Sequence, residues 1–351
     1  MTSSLALETP RPPFPLQEKL DGLRDRRRAV IYMHDNPDPD ALAAAWGLSH
    51  LFVHELGVSV TLAHGGIVGR AQNRAMVENL GISLTPVEMV KLEPTDLIAM
   101  VDSQPETGNN SLPAGHRIDV VIDHHPPRAE SQRAPWCDIR ADLGATSTII
   151  FEYLRDRKIT VDAPLATAFF FALRTETRDL GREATESERE AYLLLVPSVD
   201  HALLYRMNHP KVSRAHFAAL DRALRSAQVH GELVAINLGA LGYPDLVAEI
   251  ADLMLSYEQA KYVLCVGRFR GLAYASLRTE ASESRAGTIM RSIVGSEGAA
   301  GGHGTMAGAR LFAKVRSANA LDEAFTMLVG RLGHLLGQDT SKPDWLLASR
   351  I

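Results

Sequence analysis

The stretch Asp119-Val120-Val121-Ile122-Asp123-His124-His125-Pro126-Pro127 decides the fold of this chain. Residues 118–122 are predicted to form a short buried strand. An acid and two histidines follow this strand, and a proline pair comes after them. In open α/β sheets, ligands bind outside the carboxyl ends of the strands. We therefore expect the polar side chains at the end of this strand to lie at a ligand-binding edge of a parallel sheet.

Two other apolar runs end in polar residues in the same way. Residues 29–33 run into the segment His34-Asp35-Asn36-Pro37-Asp38-Pro39-Asp40, and residues 97–101 end at Asp102. The prolines forbid a regular helix between His34 and Asp40, so that segment is predicted to be a loop. Because the carboxyl ends of parallel strands meet at one edge of a sheet, we expect these three groups of side chains to converge.

Such a set of side chains favours a metal centre. Carboxylates and imidazoles together suit Mn²⁺, Fe²⁺ or Zn²⁺, and sites made mostly of carboxylates favour Mn²⁺ or Mg²⁺. Two cations about 3.5–4 Å apart need a bridging acid, and such pairs drive in-line displacement at phosphorus. A single acid at a strand end suits the bridge, so we assign it to Asp102. We expect His34 and Asp38 to hold the first ion, and Asp40 and His124 the second.

Composition limits the classes of function. The chain has 351 residues, of which 46% are hydrophobic, which is enough for two domains with separate cores. A formal net charge of -5 disfavours binding to long nucleic acid, although a local cluster of arginine and metal could hold a small anion. Cys137 and Cys265 are predicted to be reduced, buried thiols. No apolar run reaches the roughly 18 residues of a membrane span, and no signal pattern opens the chain, so we expect a cytoplasmic protein without a membrane partner.

Strands and helices alternate up to about residue 200, which predicts an α/β fold with a doubly wound parallel sheet. We expect a loose tail over residues 1–15, a metal-binding domain over 16–200, a helical connector over 201–228 and a smaller α/β domain over 229–345. The active site is expected in the cleft between the two domains.

These ordered motifs resemble those of the DHH phosphoesterase superfamily. His34-x-Asn36-Pro37-Asp38-Pro39-Asp40-Ala41, Val101-Asp102 and Asp123-His124-His125 look like its successive motifs, and Gly301-Gly302-His303 resembles the signature of the DHH-associated C-terminal domain. The resemblance runs from about Arg28 to Leu336. It implies that two divalent ions, Mn²⁺ before Mg²⁺, Co²⁺ or Fe²⁺, bind to His34, Asp38, Asp40, Asp102 and His124. It also implies that His125 contacts the substrate phosphate or the leaving group, and that Asp123 orients an imidazole.

One position departs from the family pattern. The step Thr175-Glu176-Thr177 stands where members usually carry Thr-Asp-Thr with a further metal ligand. Glu176 keeps the charge and adds a methylene, so it reaches a metal only if the backbone lies further back. Asp179 is the alternative ligand, and the sequence does not decide between the two.

The glycine-rich stretch Gly298 to Gly308 is predicted to be a loop and suggests a substrate site. Glycine lets a backbone approach a ligand closely, and exposed N–H groups there could hold a phosphate. Arg278 ends an apolar strand, and its guanidinium suits bidentate contact with phosphate. In the resembling enzymes the C-terminal domain holds the substrate. We therefore expect Arg278, Gly301, Gly302 and His303 to bind the far end of the substrate.

The predicted chemistry is hydrolysis of phosphoester bonds by a water that two metal ions activate, with His125 as general acid. The two-domain layout resembles the oligoribonuclease (nanoRNase) and 3′-phosphoadenosine-5′-phosphate phosphatase branch, so short RNA or DNA oligonucleotides or small nucleotides are the expected substrates, not long duplexes. Cleavage of cyclic or linear dinucleotides is the first alternative. A nucleotide-binding regulator without catalysis is the second, and Glu176 is its only sequence hint. The physiological substrate, the cutting direction and the existence of a homodimer stay open.

Overall fold

The structure is a computed structural model that describes residues 14–182, 184–280 and 286–347. Most of the predicted tail lies outside these ranges. The chain divides into two compact units, one up to Val68 with Gln72–His209, the other Gly69–Ala71 with the chain from Pro210 onward. The segment predicted as a connector, residues 201–228, is divided between them. No helix in the described ranges is long and apolar enough to cross a membrane.

The first unit contains a fully parallel sheet of six strands in the order β3-β2-β1-β4-β5-β6. The strands are β1 (Arg28–Tyr32), β2 (Ser59–His64), β3 (Leu84–Pro86), β4 (Leu97–Val101), β5 (Val120–Asp123) and β6 (Trp136–Ile139). From β1 the chain adds β2 and then β3 on one side of the sheet. It then returns to add β4, β5 and β6 on the other side of β1. The sheet therefore has its topological switch point between β1 and β4, where ligands bind in folds of this kind.

Each face of this sheet packs into a separate core, which explains the continuous apolar runs of its central strands. In β1, Ile31 belongs to the larger core, whereas Val30 and Tyr32 belong to the smaller core on the opposite face. The larger core is built with helices. In this part of the chain they are α1 (Leu16–Asp21), α2 (Pro39–Leu56), α3 (Ala71–Leu80), α4 (Thr146–Asp156), α5 (Ala163–Glu176), α6 (Glu186–Leu195) and α7 (His201–Asn208).

The second unit contains a mixed sheet of seven strands in the order β11-β12-β10-β9-β8-β7-β13. Its strands are β7 (Ala227–His230), β8 (Leu233–Ala240), β9 (Tyr262–Phe269), β10 (Leu272–Thr279), β11 (Gly298–His303), β12 (Met306–Lys314) and β13 (Asp344–Trp345). Its helices are α8 (Arg214–Ser226), α9 (Leu246–Met254), α10 (Ala286–Val294) and α11 (Ala318–Leu336). Only the β8–β9 pair is parallel among the described strand pairs of this sheet. The predicted parallel sheet followed by a smaller α/β domain is confirmed.

The glycine-rich stretch differs from the predicted loop, because residues Gly298–His303 form a strand that pairs with β12. Gly302 has φ 148°, and a Cβ there would lie 2.3 Å from the carbonyl oxygen of Met306. On α10, a Cβ at Gly287 would lie 2.0 Å from the carbonyl oxygen of Gly302. Close packing of helix and hairpin therefore requires glycine at both positions, and this packing overrides the low strand propensity of glycine.

Candidate metal centre

The ends of three neighbouring strands bring the predicted ligands together. Two groups of side chains could each hold a metal ion, with their ligand atoms within 4.8 Å of one another: His34, Asp38 and Asp102, and Asp102, His124 and His125. The segments that follow β1, β4 and β5 supply these residues, so the groups lie at the switch point of the sheet. Asp102 belongs to both groups, which is the position that a bridging ligand needs.

The first group is built around the ring of His34. Its Nε2 atom lies 3.5 Å from Oδ2 of Asp102 and 3.7 Å from Oδ1 of Asp38. On the other side of the ring, Nδ1 donates a hydrogen bond to the carbonyl oxygen of Asp35 at 2.9 Å. A backbone acceptor of this kind fixes the orientation of a metal-binding imidazole. Burial opposes the charged ring, but hydrogen bonds with Asp102 and Asp38 outweigh it and raise the pKa of His34 well above its usual value.

The second group places two imidazoles beside Asp102, which is 3% exposed. Oδ1 of Asp102 lies 3.6 Å from Nε2 of His124 and 3.7 Å from Nδ1 of His125. His124 donates from Nδ1 to the carbonyl oxygen of Leu143 at 3.2 Å, so its Nε2 atom faces the acid. Asp102 has φ 52°, a left-handed conformation that aspartate tolerates better than most residues. Strain of this kind at a strand end is typical of functional sites.

Asp40 lies beside this centre but belongs to neither group. Its carboxylate accepts hydrogen bonds from the backbone N–H groups of Thr146, at 2.7 Å, and Ser147, at 3.0 Å, at the start of α4. The hydroxyl of Thr146 donates to Oδ1 of Asp102 at 2.9 Å, so one residue holds both carboxylates. Burial and then repulsion from Asp102 raise the pKa of Asp40 to about 8. Its role as a ligand of the second ion stays a prediction.

His125 is held by Asp123 rather than by a backbone group. Oδ1 of Asp123 accepts from Nδ1 of His125 at 2.9 Å and from the backbone N–H groups of His124, at 2.8 Å, and His125, at 3.2 Å. Burial would lower the pKa of His125, but the bond to Asp123 and the charge of Asp102 raise that pKa to about 10. The contact between Asp123 and the ring is the one that an orienting role requires.

Glu176, the residue that departs from the family pattern, lies at the end of α5. Oε1 of Glu176 lies 3.6 Å from Nη2 of Arg182, and the charge of Glu176 helps to raise the pKa of both Asp40 and His125. Asp179 instead forms an ion pair with Arg174, and its side chain is 62% exposed. This geometry favours Glu176 over Asp179 as the additional acid, although Glu176 is in neither metal-binding group.

The predicted substrate residues lie in the second unit. Arg278 is buried and donates from Nε to Oδ1 of Asp252 at 2.6 Å and from Nη1 to Oγ of Ser276 at 2.8 Å. At Gly301, a Cβ would meet no atom within 4 Å, so its backbone is open on that side. The side chain of His303 lies outside the described part of the structure. Contact of Arg278, Gly301, Gly302 and His303 with a substrate stays a prediction.

Two residues with contacts at the centre were not assigned a role there from the sequence. The hydroxyl of Thr146, the first residue of α4, donates to Asp102. Gln104 received no role, yet its Nε2 donates to Oδ2 of Asp123 at 2.7 Å. The only signal for Gln104 was its position two residues after the acid at the end of β4.

Comparison with known proteins supplies relatives for both units. Residues 28–173 match the model of the DHH family, N-terminal domain. An uncharacterized protein of Methanocaldococcus jannaschii is 30% identical over 315 residues, which are 89% of this chain and 64% of that protein. A probable manganese-dependent inorganic pyrophosphatase of Enterococcus faecalis is 27% identical over 151 residues, which are 43% of this chain and 48% of that protein. The chain therefore spans less than two thirds of the length of these curated relatives.

A solved structure shares the fold over nearly the whole chain. An exopolyphosphatase-related protein from Bacteroides fragilis aligns with a TM-score of 0.64 at 15% sequence identity, covering 91% of this chain and 98% of that one. At this level of identity the similarity shows the fold alone.

Proposed function

We propose that this chain is a metal-dependent hydrolase of phosphoester bonds, because residues 28–173 match the model of the DHH family, N-terminal domain. The observation that carries the proposal is the pair of metal-binding groups that share Asp102. A shared acid between two sets of imidazole and carboxylate atoms is the donor arrangement of two-metal sites that act at phosphorus.

The donor set fits two divalent ions. Each group combines imidazole with carboxylate, which suits Mn²⁺, Co²⁺ or Fe²⁺ and is less typical of Mg²⁺. The pyrophosphatase of Enterococcus faecalis is described as manganese-dependent, which supports Mn²⁺. We assign His34 and Asp38 to one ion, Asp40 and His124 to the other, and Asp102 to both, with Glu176 as an additional acid. When bound, such ions activate water and neutralise charge on phosphoryl oxygens.

The side chains around the centre prepare it for that chemistry. Backbone carbonyl groups fix the rings of His34 and His124, and Thr146 fixes Asp102. His125 is bonded to Asp123 through Nδ1, so its Nε2 atom is the one that can exchange a proton with the substrate. We propose that His125 protonates the leaving oxygen as general acid and that Asp123 stabilises the charged ring.

For the substrate, we propose short oligonucleotides or small nucleotides, of the oligoribonuclease or 3′-phosphoadenosine-5′-phosphate phosphatase type. The net charge of -5 supports a small substrate over long nucleic acid. The open backbone at Gly301 is consistent with contact to a nucleotide end. Cleavage of cyclic or linear dinucleotides is the alternative within this chemistry. Pyrophosphate is a second candidate, since the Enterococcus faecalis relative is a probable inorganic pyrophosphatase. We place the activity in the cytoplasm.

A substrate panel tests this proposal. The purified full chain is freed of metal, reloaded with Mn²⁺ and assayed on short RNA, short DNA, linear and cyclic dinucleotides, the bisphosphate nucleotide and pyrophosphate. We expect turnover of at least one nucleotide substrate and its loss in Asp102→Ala. Glu190→Gln is the matched control, because Glu190 is an exposed acid that pairs with Arg155 away from the centre. Binding without turnover across the panel would instead identify a non-catalytic regulator.

A further inference from the structure

Gln104 is a buried amide next to the metal centre, 1% exposed, and both ends of its side chain form hydrogen bonds. Its Nε2 atom donates to Oδ2 of Asp123 at 2.7 Å and to the carbonyl oxygen of Pro126 at 3.1 Å. Its Oε1 atom accepts from the backbone N–H of Arg128 at 2.7 Å and from Oγ of Ser131 at 2.9 Å. Carboxylate and carbonyl oxygens accept hydrogen bonds, whereas N–H and O–H groups donate them. These partners therefore distinguish the nitrogen from the oxygen of the Gln104 amide.

These bonds tie the end of β4 to the segment that follows β5. Gln104 lies two residues after Asp102, whereas its partners lie between Asp123 and Ser131, 19 to 27 positions further along the chain. The segment they hold contains the two histidines of the centre. One neutral side chain therefore sets the position of that segment relative to Asp102.

The hydrogen bond from Gln104 to Asp123 also affects which acid the ring of His125 contacts. Oδ1 of Asp123 is occupied by His125 and two backbone N–H groups, and Oδ2 is occupied by Gln104, so the carboxylate cannot rotate without losing hydrogen bonds. Nδ1 of His125 lies 2.9 Å from Asp123 but also 3.7 Å from Oδ1 of Asp102. His125 could therefore pair with Asp123 or turn toward Asp102 as a metal ligand.

We propose that Gln104 is a positioning residue that locks Asp123 so that His125 serves the substrate and is not drawn to Asp102 as a metal ligand. Because the amide is neutral, it orients Asp123 without cancelling the negative charge that the His125 ring needs. A lysine or arginine in its place would form an ion pair with Asp123 and weaken that support. This inference rests on the proposed hydrolysis.

The principal test is Gln104→Met, which preserves bulk and removes both hydrogen-bonding ends. We expect kcat to fall about 10- to 100-fold, as for other residues that orient the groups around a metal, with KM and Mn²⁺ content within about twofold of wild type. Gln72→Met is the matched control, because Gln72 bonds only a backbone carbonyl, that of Asn208, among the bonds described for it. Wild-type kcat in Gln104→Met, or a loss that follows the loss of metal, would overturn the proposal.

A double-mutant cycle separates positioning from general support. If Gln104 acts through Asp123, then Gln104→Met should lower kcat by no more than about threefold in the Asp123→Asn background, because coupled residues are not additive. Full additivity would contradict the proposal. If the methionine variant does not fold, Gln104→Glu assayed at pH 8.5 keeps the acceptor end and replaces the donor by a like charge. A kcat equal to wild type in that variant would overturn the proposal equally.

A spectroscopic readout makes the test independent of turnover. In the Mg²⁺-loaded protein, the Nδ1 proton of His125 bonded to Asp123 should give a downfield ¹H NMR resonance that is absent from Asp123→Asn. We expect Gln104→Met to shift this resonance upfield or abolish it, and Gln72→Met to leave it unchanged. An unchanged resonance in Gln104→Met would contradict the positioning role. If wild type hydrolyses nothing in the panel, the proposed function fails while this result still decides whether Gln104 controls His125.

Discussion

Adding Mn²⁺ to the metal-free protein should release protons, because the centre binds protons tightly when metal is absent. Hydrogen bonds with Asp102 and Asp38 raise the pKa of His34 despite its burial, and burial with repulsion from Asp102 raises the pKa of Asp40 to about 8. Both groups must lose their protons to bind a cation. The number of protons released is therefore a direct measure of whether these two side chains are ligands.

The magnitude follows from these shifts. With a pKa of about 8, Asp40 carries about 0.9 proton at pH 7 and about 0.1 at pH 9. His34, whose pKa is raised well above its usual value, should add to the protons released at pH 7. We expect about 0.9 proton per protein from Asp40 and a further contribution from His34 to be released at pH 7, and the Asp40 share to fall by about 0.8 at pH 9. Calorimetric titration with Mn²⁺ in two buffers of different ionisation enthalpy measures this number.

Asp102→Asn provides the critical comparison. Asparagine tolerates the left-handed backbone at this position, so the substitution removes charge without forcing the strand end to change. After burial, repulsion from Asp102 is the second cause of the raised pKa of Asp40, so that pKa should fall toward its usual value in metal-free Asp102→Asn, and NMR titration of the Asp40 carboxyl measures it. A heat of Mn²⁺ binding to wild type that is independent of buffer at pH 7, or an unchanged pKa of Asp40 in metal-free Asp102→Asn, would refute the reasoning.

Three further predictions concern the same centre. Glu176→Gln should lower activity at least about tenfold, whereas Asp179→Asn should leave it within about twofold, as steady-state kinetics would show. Thr146→Ala should weaken Mn²⁺ binding about tenfold, measured by calorimetry, because Asp102 loses its hydroxyl donor while the backbone bond to Asp40 remains. The metal-free protein should lose stability as pH rises. The raised pKa of His34 gives stability that is complete below about pH 6.5 and is lost as pH rises through the folded pKa. Tm should therefore fall between pH 6.5 and 9, and saturating Mn²⁺ should reduce that fall.

The sequence predicted the convergence of strand ends because sheet topology alone determines it. His34, Asp102 and His124 each follow an apolar run, and parallel strands place such residues at one edge regardless of side-chain packing. The reversal of strand order then makes β1 and β4 neighbours in the sheet. These arguments need only periodicity and direction, which one sequence contains.

The detailed contacts could not be predicted, because they depend on how helices pack against the sheet. Thr146 begins α4, where a threonine suggests a helix cap, but the approach of α4 directs its hydroxyl to Asp102. Gly302 suggested a loop that binds phosphate, whereas the fit of α10 against the hairpin requires its glycine. Both residue types indicated a special local role. The group that each residue contacts, however, lies more than forty positions away in the sequence or in another helix or strand.

The same packing explains how the fold keeps several acids together. Asp102 and Asp40 would repel each other strongly in a dry site, yet Thr146 holds both, and the start of α4 supplies two backbone N–H groups to Asp40. Positive partial charge at a helix start partly offsets such repulsion. The remaining cost leaves the pKa of Asp40 at about 8, so the folded chain retains an affinity for positive charge that protons or a divalent cation can satisfy. A divalent cation that binds at the centre would therefore replace protons, which links metal binding there to pH.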